Sequence, residues 1–584
     1  MAGDQASRAD VVGRGDGPAH VRVAGGRPVG GRHGRELGAS NEGNAHRADG
    51  DAQGAVATSA RTARPSPTPH HCCHISSLPL TSIAYALGTS TVASVIEQLN
   101  LIRFNAGERR TVGLDDNTVC RFVTRDPTLA DAVNAATEEF EALNQEFPEL
   151  MALGEVEQVA AIEQHLVNFY ADDTVNPYVS MAARGPWIVT TKGAVLHDNG
   201  GYGMLGFGHV PEPIIEAMSK PQVMANVMTP SLSQFRLSEA LEREIGQTRQ
   251  GGCPFTHFLA MNSGSESVSV ATRIADVNAK ILTDEGARHA GKPVKKMSLA
   301  GGFHGRTGRP AQFSDSCLTA YTTHLATFRD EDLITVEPND VDGLEAAYAR
   351  ADAEGYFIEA FFMEPVMGEG NPGVAMSPDF YSTARALTKE HGSILLIDSI
   401  QAGLRATGYL SLVDYPGFQD LEAPDLETYS KALNAGQYPL SILALTPESA
   451  ALYRQGIYGN TMTANPRAMD IGSTVLGMVT PEVRQNIVDR GREFVMKLEA
   501  LAEELDGQIT KVEGTGLLFS CELDPRFKAY GTDSAEEFMR LQGIGVIHGG
   551  DNSLRFTPHF QVTSEEVDLI IDHVRNAVLN GPGA

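Results

Sequence analysis

Ser393-Ile394-Leu395-Leu396-Ile397-Asp398, followed further along by Thr428-Tyr429-Ser430-Lys431-Ala432-Leu433, is the stretch on which the fold and chemistry of this chain turn. The first segment is an apolar run of strand length that ends in a carboxylate. The second places an isolated lysine after a β-rich run. Lys389 and Lys431 are the only lysines between Gly301 and Ala450, and Lys389 lies in Leu387-Thr388-Lys389-Glu390-His391, the polar end of an expected helix. A single lysine is by default a solvated surface residue; its pairing with a buried acid argues otherwise. An acid at a strand's C-terminal end and a lysine of this kind are what pyridoxal phosphate requires. The amine forms a Schiff base with the aldehyde, and the acid pairs with the pyridinium nitrogen.

Outward from Asp398 the pattern alternates. Phe258-Leu259-Ala260-Met261, Lys296-Met297-Ser298-Leu299-Ala300, Ile358 to Met363, Ile394 to Ile397 and Ser441 to Leu445 read as buried strands, with amphipathic helices such as Val341 to Ala353 and Pro378 to His391 between them. Strands separated by helices imply an α/β fold with a mainly parallel sheet covered on both faces and ligands at the strands' C-terminal ends. The chain then changes character: a long helix from about Pro481 to Leu505, the Gly514 to Ser520 segment, and a final helix from Ser564 to Leu579 read as a smaller α+β domain. Before the sheet, apolar residues from Pro127 to Asp172 recur at helical spacing and predict a helical layer that packs against a partner subunit.

With 584 residues, 42% apolar, the chain has room for several domains. Residues 1–74 contain no Lys, Phe, Tyr, Trp or Ile and cannot bury enough apolar surface to fold; they are expected to be disordered or to lie outside the natural protein. The expected boundaries are 1–74 for this extension, 75–172 for a helical segment, 173–216 for the first part of a small domain, 217–460 for the large domain and 461–584 for the rest of the small one. A net charge of -28 argues against nucleic acid or an anionic membrane as partner. No apolar run of about 18 residues predicts a membrane span. Six scattered cysteines do not form a disulfide framework, so a cytoplasmic protein is expected. His70-His71-Cys72-Cys73-His74 lacks the spaced pairs of a zinc site, and no metal site is expected.

Two further motifs follow strands. Asn262-Ser263-Gly264-Ser265-Glu266-Ser267 opens a helical pattern, where free backbone N–H groups and the helix dipole favour an anion such as a phosphate. Gly302-Phe303-His304-Gly305-Arg306-Thr307 offers a ring to stack on a planar heterocycle and a guanidinium suited to a carboxylate.

Taken in order, Asn262 to Glu266, Phe303 to Thr307, Met363-Glu364-Pro365-Val366-Met367-Gly368-Glu369-Gly370, Asp398 to Gly408 and Ser430 to Pro439 resemble the class III aminotransferases, the ornithine and ω-amino acid branch above all. The similarity runs from about Ala183 to Asn580. It implies a pyridoxal-phosphate-dependent transferase of fold type I: a large domain on a mainly parallel, seven-stranded sheet plus a smaller α+β C-terminal domain.

The resemblance also implies roles. Lys431 and Asp398 are the catalytic pair. Gly264, Ser265, Phe303, His304 and Gln401 join them around the cofactor, with Thr461 reaching the phosphate of a partner's cofactor in a homodimer. Tyr202, Arg306, Glu369 and Arg555 are implied to bind substrate, Glu369 masking Arg555 for one substrate and releasing it for the next. The implied reaction moves an amino group from an ornithine-like donor to 2-oxoglutarate or a similar keto acid. The same scaffold supports racemisation, decarboxylation and amino migration, and a non-catalytic scaffold is a third reading. Ser399 departs from the family's Glu after the ring-binding acid, which removes a charge near the cleft, and Asn434-Ala435 replaces a Gly-rich turn.

Overall fold

Strand Ile394–Asp398 is fully buried, and its residues alternate between two apolar layers. Leu395 and Ile397 face the layer shared with Leu344, Tyr348, Phe380 and Ala384, whereas Ile394 and Leu396 face the layer shared with Val268, Ala271 and Ile274. The first layer is built by helices Val341–Glu354 and Pro378–His391, the second by helix Gly264–Thr283. The same period of two turns Asp398 toward the side of helix Gly264–Thr283. The acid and the N-terminus of that helix are thereby brought to one end of the sheet.

The computed structural model describes residues 87–224, 227–463 and 465–584, all within the unit Leu80–Ala584. Residues 1–74 and the His70–His74 cluster lie outside the described residues. The large sheet has seven strands in the order His257–Met261, Ser441–Leu445, Leu426–Tyr429, Ile394–Asp398, Phe357–Met363, Val294–Leu299 and Leu333–Val336. Ser441–Leu445 runs antiparallel to both of its neighbours, and every other pairing is parallel. This is the mainly parallel sheet expected. Two of its strands, Leu333–Val336 and Leu426–Tyr429, are additions to those read from hydropathy.

Two four-stranded sheets complete the fold. One joins Ser180–Arg184, Trp187–Thr190 and Val195–Asp198 to Ile544–Gly545, which pairs in parallel with Val195–Asp198 from the far end of the chain. The other is antiparallel, Ile509–Thr515, Leu518–Leu523, Ser553–Phe556 and Ile547–Gly549, and carries Arg555. Helices Pro481–Glu504 and Ser564–Asn580 pack together beside it.

The N-terminal helices differ from expectation in two ways. Their apolar face, with Leu99, Ile102, Leu129, Val133 and Phe140, is buried in this chain's own core with Trp187 and Val195 rather than left for a partner. Trp187 Nε1 donates to Asp126 Oδ2 at 2.6 Å, fixing helix Pro127–Glu146 to the first small sheet. The helical pattern also breaks at Phe147, which precedes Pro148 and is thereby disfavoured in helical geometry. The last helix of the segment stops at Glu163, and Phe169 and Tyr170 beyond it form a bend that lies against Arg306.

Candidate active site

A cavity of about 440 Å³ lies at the C-terminal end of the Asp398 strand, bounded by Ser263 to Ser265, Phe303 to Gly305, Glu364, Gln401 and Lys431. Lys431 follows strand Leu426–Tyr429 with φ of 48°, a left-handed conformation that costs a residue with a Cβ about 1–2 kcal/mol. Its Nζ donates to Gln401 Oε1 at 3.1 Å. Burial pushes the amine down to about 8, and the neighbouring Arg555 guanidinium adds to the shift. Ala435, in the departed Asn434-Ala435 turn, holds φ of 50° and so takes the backbone shape a glycine would have supplied.

Asp398 is buried. Its Oδ2 lies 2.9 Å from His304 Nδ1, and its Oδ1 accepts from Ile400 N at 3.1 Å. Behind them Glu364 accepts from Phe303 N at 3.0 Å and from Gly368 N at 2.9 Å, tying the Phe303 loop to the loop that carries Glu369. Burial pushes the Glu364 carboxyl up to about 7. Ser399 meets a carboxyl from the next strand, that of Glu427, which burial pushes up to about 7. Ser399 Oγ donates to Glu427 at 2.6 Å, and this fully buried carboxyl also accepts from Ser411 Oγ and Leu412 N.

Opposite Asp398, Ser263 caps helix Gly264–Thr283, leaving first-turn N–H groups at Gly264 and Ser265 beside the cavity. A Cβ on Gly305, whose φ is 107°, would lie 2.4 Å from Ser265 Oγ. That glycine therefore keeps the approach to the helix end open.

Two arginines, Arg306 and Arg555, share one acid. Glu369 lies 3.7 Å from Arg306 and 3.5 Å from Arg555. Arg555, with its side chain 2% exposed, also donates to Gly368 O and stands 5.6 Å over the Tyr202 ring; Arg306, at 37%, is nearer solvent. Phe169, Tyr170 and Phe303 surround the Arg306 guanidinium at 5.6, 5.7 and 5.3 Å, and Tyr170 stacks on Tyr202 at 6.0 Å. Phe169 and Tyr170 were missed from sequence. Their signal was two adjacent aromatics after the helical apolar spacing lapses. Thr461 stands apart: exposed, it lines a different hollow with Met261 and Tyr458 and does not reach the cavity of its own chain.

An acid and a lysine at one end of a mainly parallel sheet, across from a helix N-terminus, define a pyridoxal-phosphate transferase of fold type I. A profile of the family described as aminotransferase class-III matches residues 169–578, and the chain belongs to that family. It is 26% identical over 407 residues to an acetylornithine aminotransferase of Neisseria meningitidis, covering 67% of this chain and 92% of that one. It is 27% identical over 405 residues to ornithine aminotransferase 2 of Staphylococcus aureus, covering 68% and 94%. Among solved structures, the ornithine aminotransferase of Toxoplasma gondii, described as partly occupied by PLP at its active site, superposes with a TM-score of 0.63. It has 22% identity and covers 75% of this chain and 97% of that one.

The residues present fit the cofactor of this family. His304 Nε2 and Gln401 Nε2 are buried side-chain nitrogens without a partner, and both residues line the cavity. Unmet polar nitrogens of this kind beside an enclosed amine suit a polar, planar ligand.

Proposed function

We propose that this protein transfers an amino group from an ornithine-like ω-amino acid or diamine to 2-oxoglutarate or a similar keto acid. The observation that carries the reading is Glu369 held between Arg306 and Arg555, because one cleft must accept a cationic donor and then a dicarboxylate. With Glu369 masking Arg555, the deep guanidinium presents no free positive charge to an incoming amine. When Glu369 leans to Arg306 alone, Arg555 is released to grip a carboxylate with its planar fork. Tyr170, Tyr202 and Phe169 wall this side and orient the donor's chain.

When bound, pyridoxal phosphate supplies a protonated ring that accepts the electron pair left as the substrate C–H bond breaks. Lys431 would anchor the cofactor through Nζ and would take and return the proton of the reacting carbon. Asp398, steadied by His304, keeps the ring nitrogen protonated. Gln401 would offer its free Nε2 to the ring's phenolic oxygen, and Gly264 and Ser265 would hold the phosphate. A homodimer fits the outward-facing Thr461, which would reach the partner's phosphate, and exposed Leu232 and Phe235. Cys120, Cys253, Cys317 and Cys521 are free, and no helix among the described residues is long and apolar enough to cross a membrane.

Two measurements test this reading. Glutamate should form from 2-oxoglutarate with at least one ω-amino donor, and failure with every donor would reject it. Arg555→Ala should raise KM for the keto acid about 10- to 100-fold, the worth of a lost hydrogen bond to a charged group, while leaving the donor half-reaction nearly unchanged. The pH dependence of cofactor capture follows from Lys431. Only the free amine attacks the aldehyde, and it is populated as pH rises through about 8. Uptake of pyridoxal phosphate by cofactor-free protein should therefore slow about tenfold per pH unit below that value and level off above it, read in stopped flow.

A further inference from the structure

His197, His559 and Glu566 converge from three elements: strand Val195–Asp198, the loop after strand Ser553–Phe556, and the first turn of helix Ser564–Asn580. Their ligand-type atoms lie within 4.8 Å of one another. His197 Nε2 is 2.8 Å and His559 Nε2 is 2.9 Å from the same oxygen, Glu566 Oε1. His197 and Glu566 are buried, and none of the three residues borders the lysine cavity. Instead His559 and Glu566 line a separate groove of about 1310 Å³ with Gln561, Arg184 and Asp126.

We propose that this triad is a binding site for a divalent transition cation of the zinc type, with two imidazoles and one carboxylate as ligands and a water from the groove in the fourth position. Two imidazole nitrogens and one oxygen are the donor set zinc takes when one position stays open. Tetrahedral bonds of about 2.0–2.1 Å place ligand atoms about 3.4 Å apart. Opening each histidine–Glu566 contact by about 0.5 Å brings those pairs to that spacing, and the ligand atoms already lie within 4.8 Å of one another.

The surroundings are those of a metal centre. The second oxygen of Glu566 is held by Thr563 N at 2.8 Å and Thr563 Oγ1 at 2.7 Å, which leaves Oε1 turned to the histidines. Trp187 packs its ring edge-on to His197 at 4.9 Å and fixes the imidazole plane. Asn199 Nδ2 lies 3.0 Å from His197 Nδ1, while Asn199 Oδ1 is buried without a partner. With the amide turned over, Oδ1 accepts from Nδ1–H. The unpaired oxygen gains its partner, and Nε2 is left as the lone pair a cation needs. No sequence motif announces the set, because His197 and Glu566 meet only in the fold.

Cobalt(II) titrated into chelator-treated, full-length holoenzyme tests the proposal. The expected result is one equivalent per chain with the strong visible bands of a tetrahedral ion and no thiolate charge-transfer band. That last feature separates the site from Cys72 and Cys73. His559→Ala should lose these bands, Asn199→Ala should weaken binding about 10- to 100-fold, and transamination should be unchanged in His559→Ala. Absence of tetrahedral bands in the unaltered protein overturns the proposal, and so do bands that persist in His559→Ala. If that variant does not fold, the spectrum of the unaltered protein alone decides.

Discussion

Lys431→Ala is expected to lower kcat by at least about 10⁴-fold, the upper range for a single positioned acid–base group, because it removes the covalent anchor together with the proton carrier. No other lysine lines the cavity, and the partners of Nζ are specific to that position. The variant should still bind pyridoxal phosphate, since the contacts assigned to the phosphate and ring come from other residues, but without the absorbance of the protein-linked imine. Borohydride reduction of the unaltered holoenzyme followed by peptide mapping gives an independent readout, with the label on Lys431. A label on another residue would sink the assignment. Added methylamine should restore part of the activity by standing in for the lost amine, which a merely unfolded variant would not allow. Lys431→Ala keeps the backbone strain, since alanine at φ of 48° still carries a Cβ.

What could be read from sequence followed the reach of each signal. Ile394–Asp398 was legible because four apolar residues in a row end in an acid, a pattern that survives without knowing any neighbour. Leu426–Tyr429 was not, because Glu427 sits inside it; the acid is tolerated only because Ser399, Ser411 and the Leu412 amide converge on it. Leu333–Val336 is an edge strand with Thr335 exposed, too short and too mixed to stand out. The arginine and glutamate of the substrate side were visible one by one. Their arrangement around Phe169 and Tyr170 was not, because it depends on where the helical segment stops. The pairing of Ile544–Gly545 with Val195–Asp198 joins opposite ends of the chain, and no local pattern encodes it. Ser399 shows the converse: its hydroxyl has a buried partner, Glu427, that only the neighbouring strand reveals.

Asp398→Ala should reduce kcat roughly 10²- to 10⁴-fold, corresponding to about 3–5 kcal/mol for breaking a buried charge pair. The carboxylate is fixed twice, by His304 Nδ1 and by the Ile400 amide, so its negative charge is already in place when the ring nitrogen arrives and needs no rearrangement. Asp398→Asn separates the charge from the geometry. Its side-chain oxygen can still accept from Ile400 N, yet an amide cannot balance a protonated pyridine. If the charge is what matters, Asn and Ala should fall together in kcat; if positioning alone matters, Asn should stay near the unaltered protein. A cofactor analogue methylated at the ring nitrogen carries its positive charge permanently and should recover part of the loss in Asp398→Ala. Failure of that rescue, with the analogue bound, would assign Asp398 to holding His304 in place rather than to the ring. The His304→Ala variant then gives the reciprocal measurement: a smaller fall in kcat than Asp398→Ala if the imidazole only steadies the acid, and an equal fall if the two act as one unit.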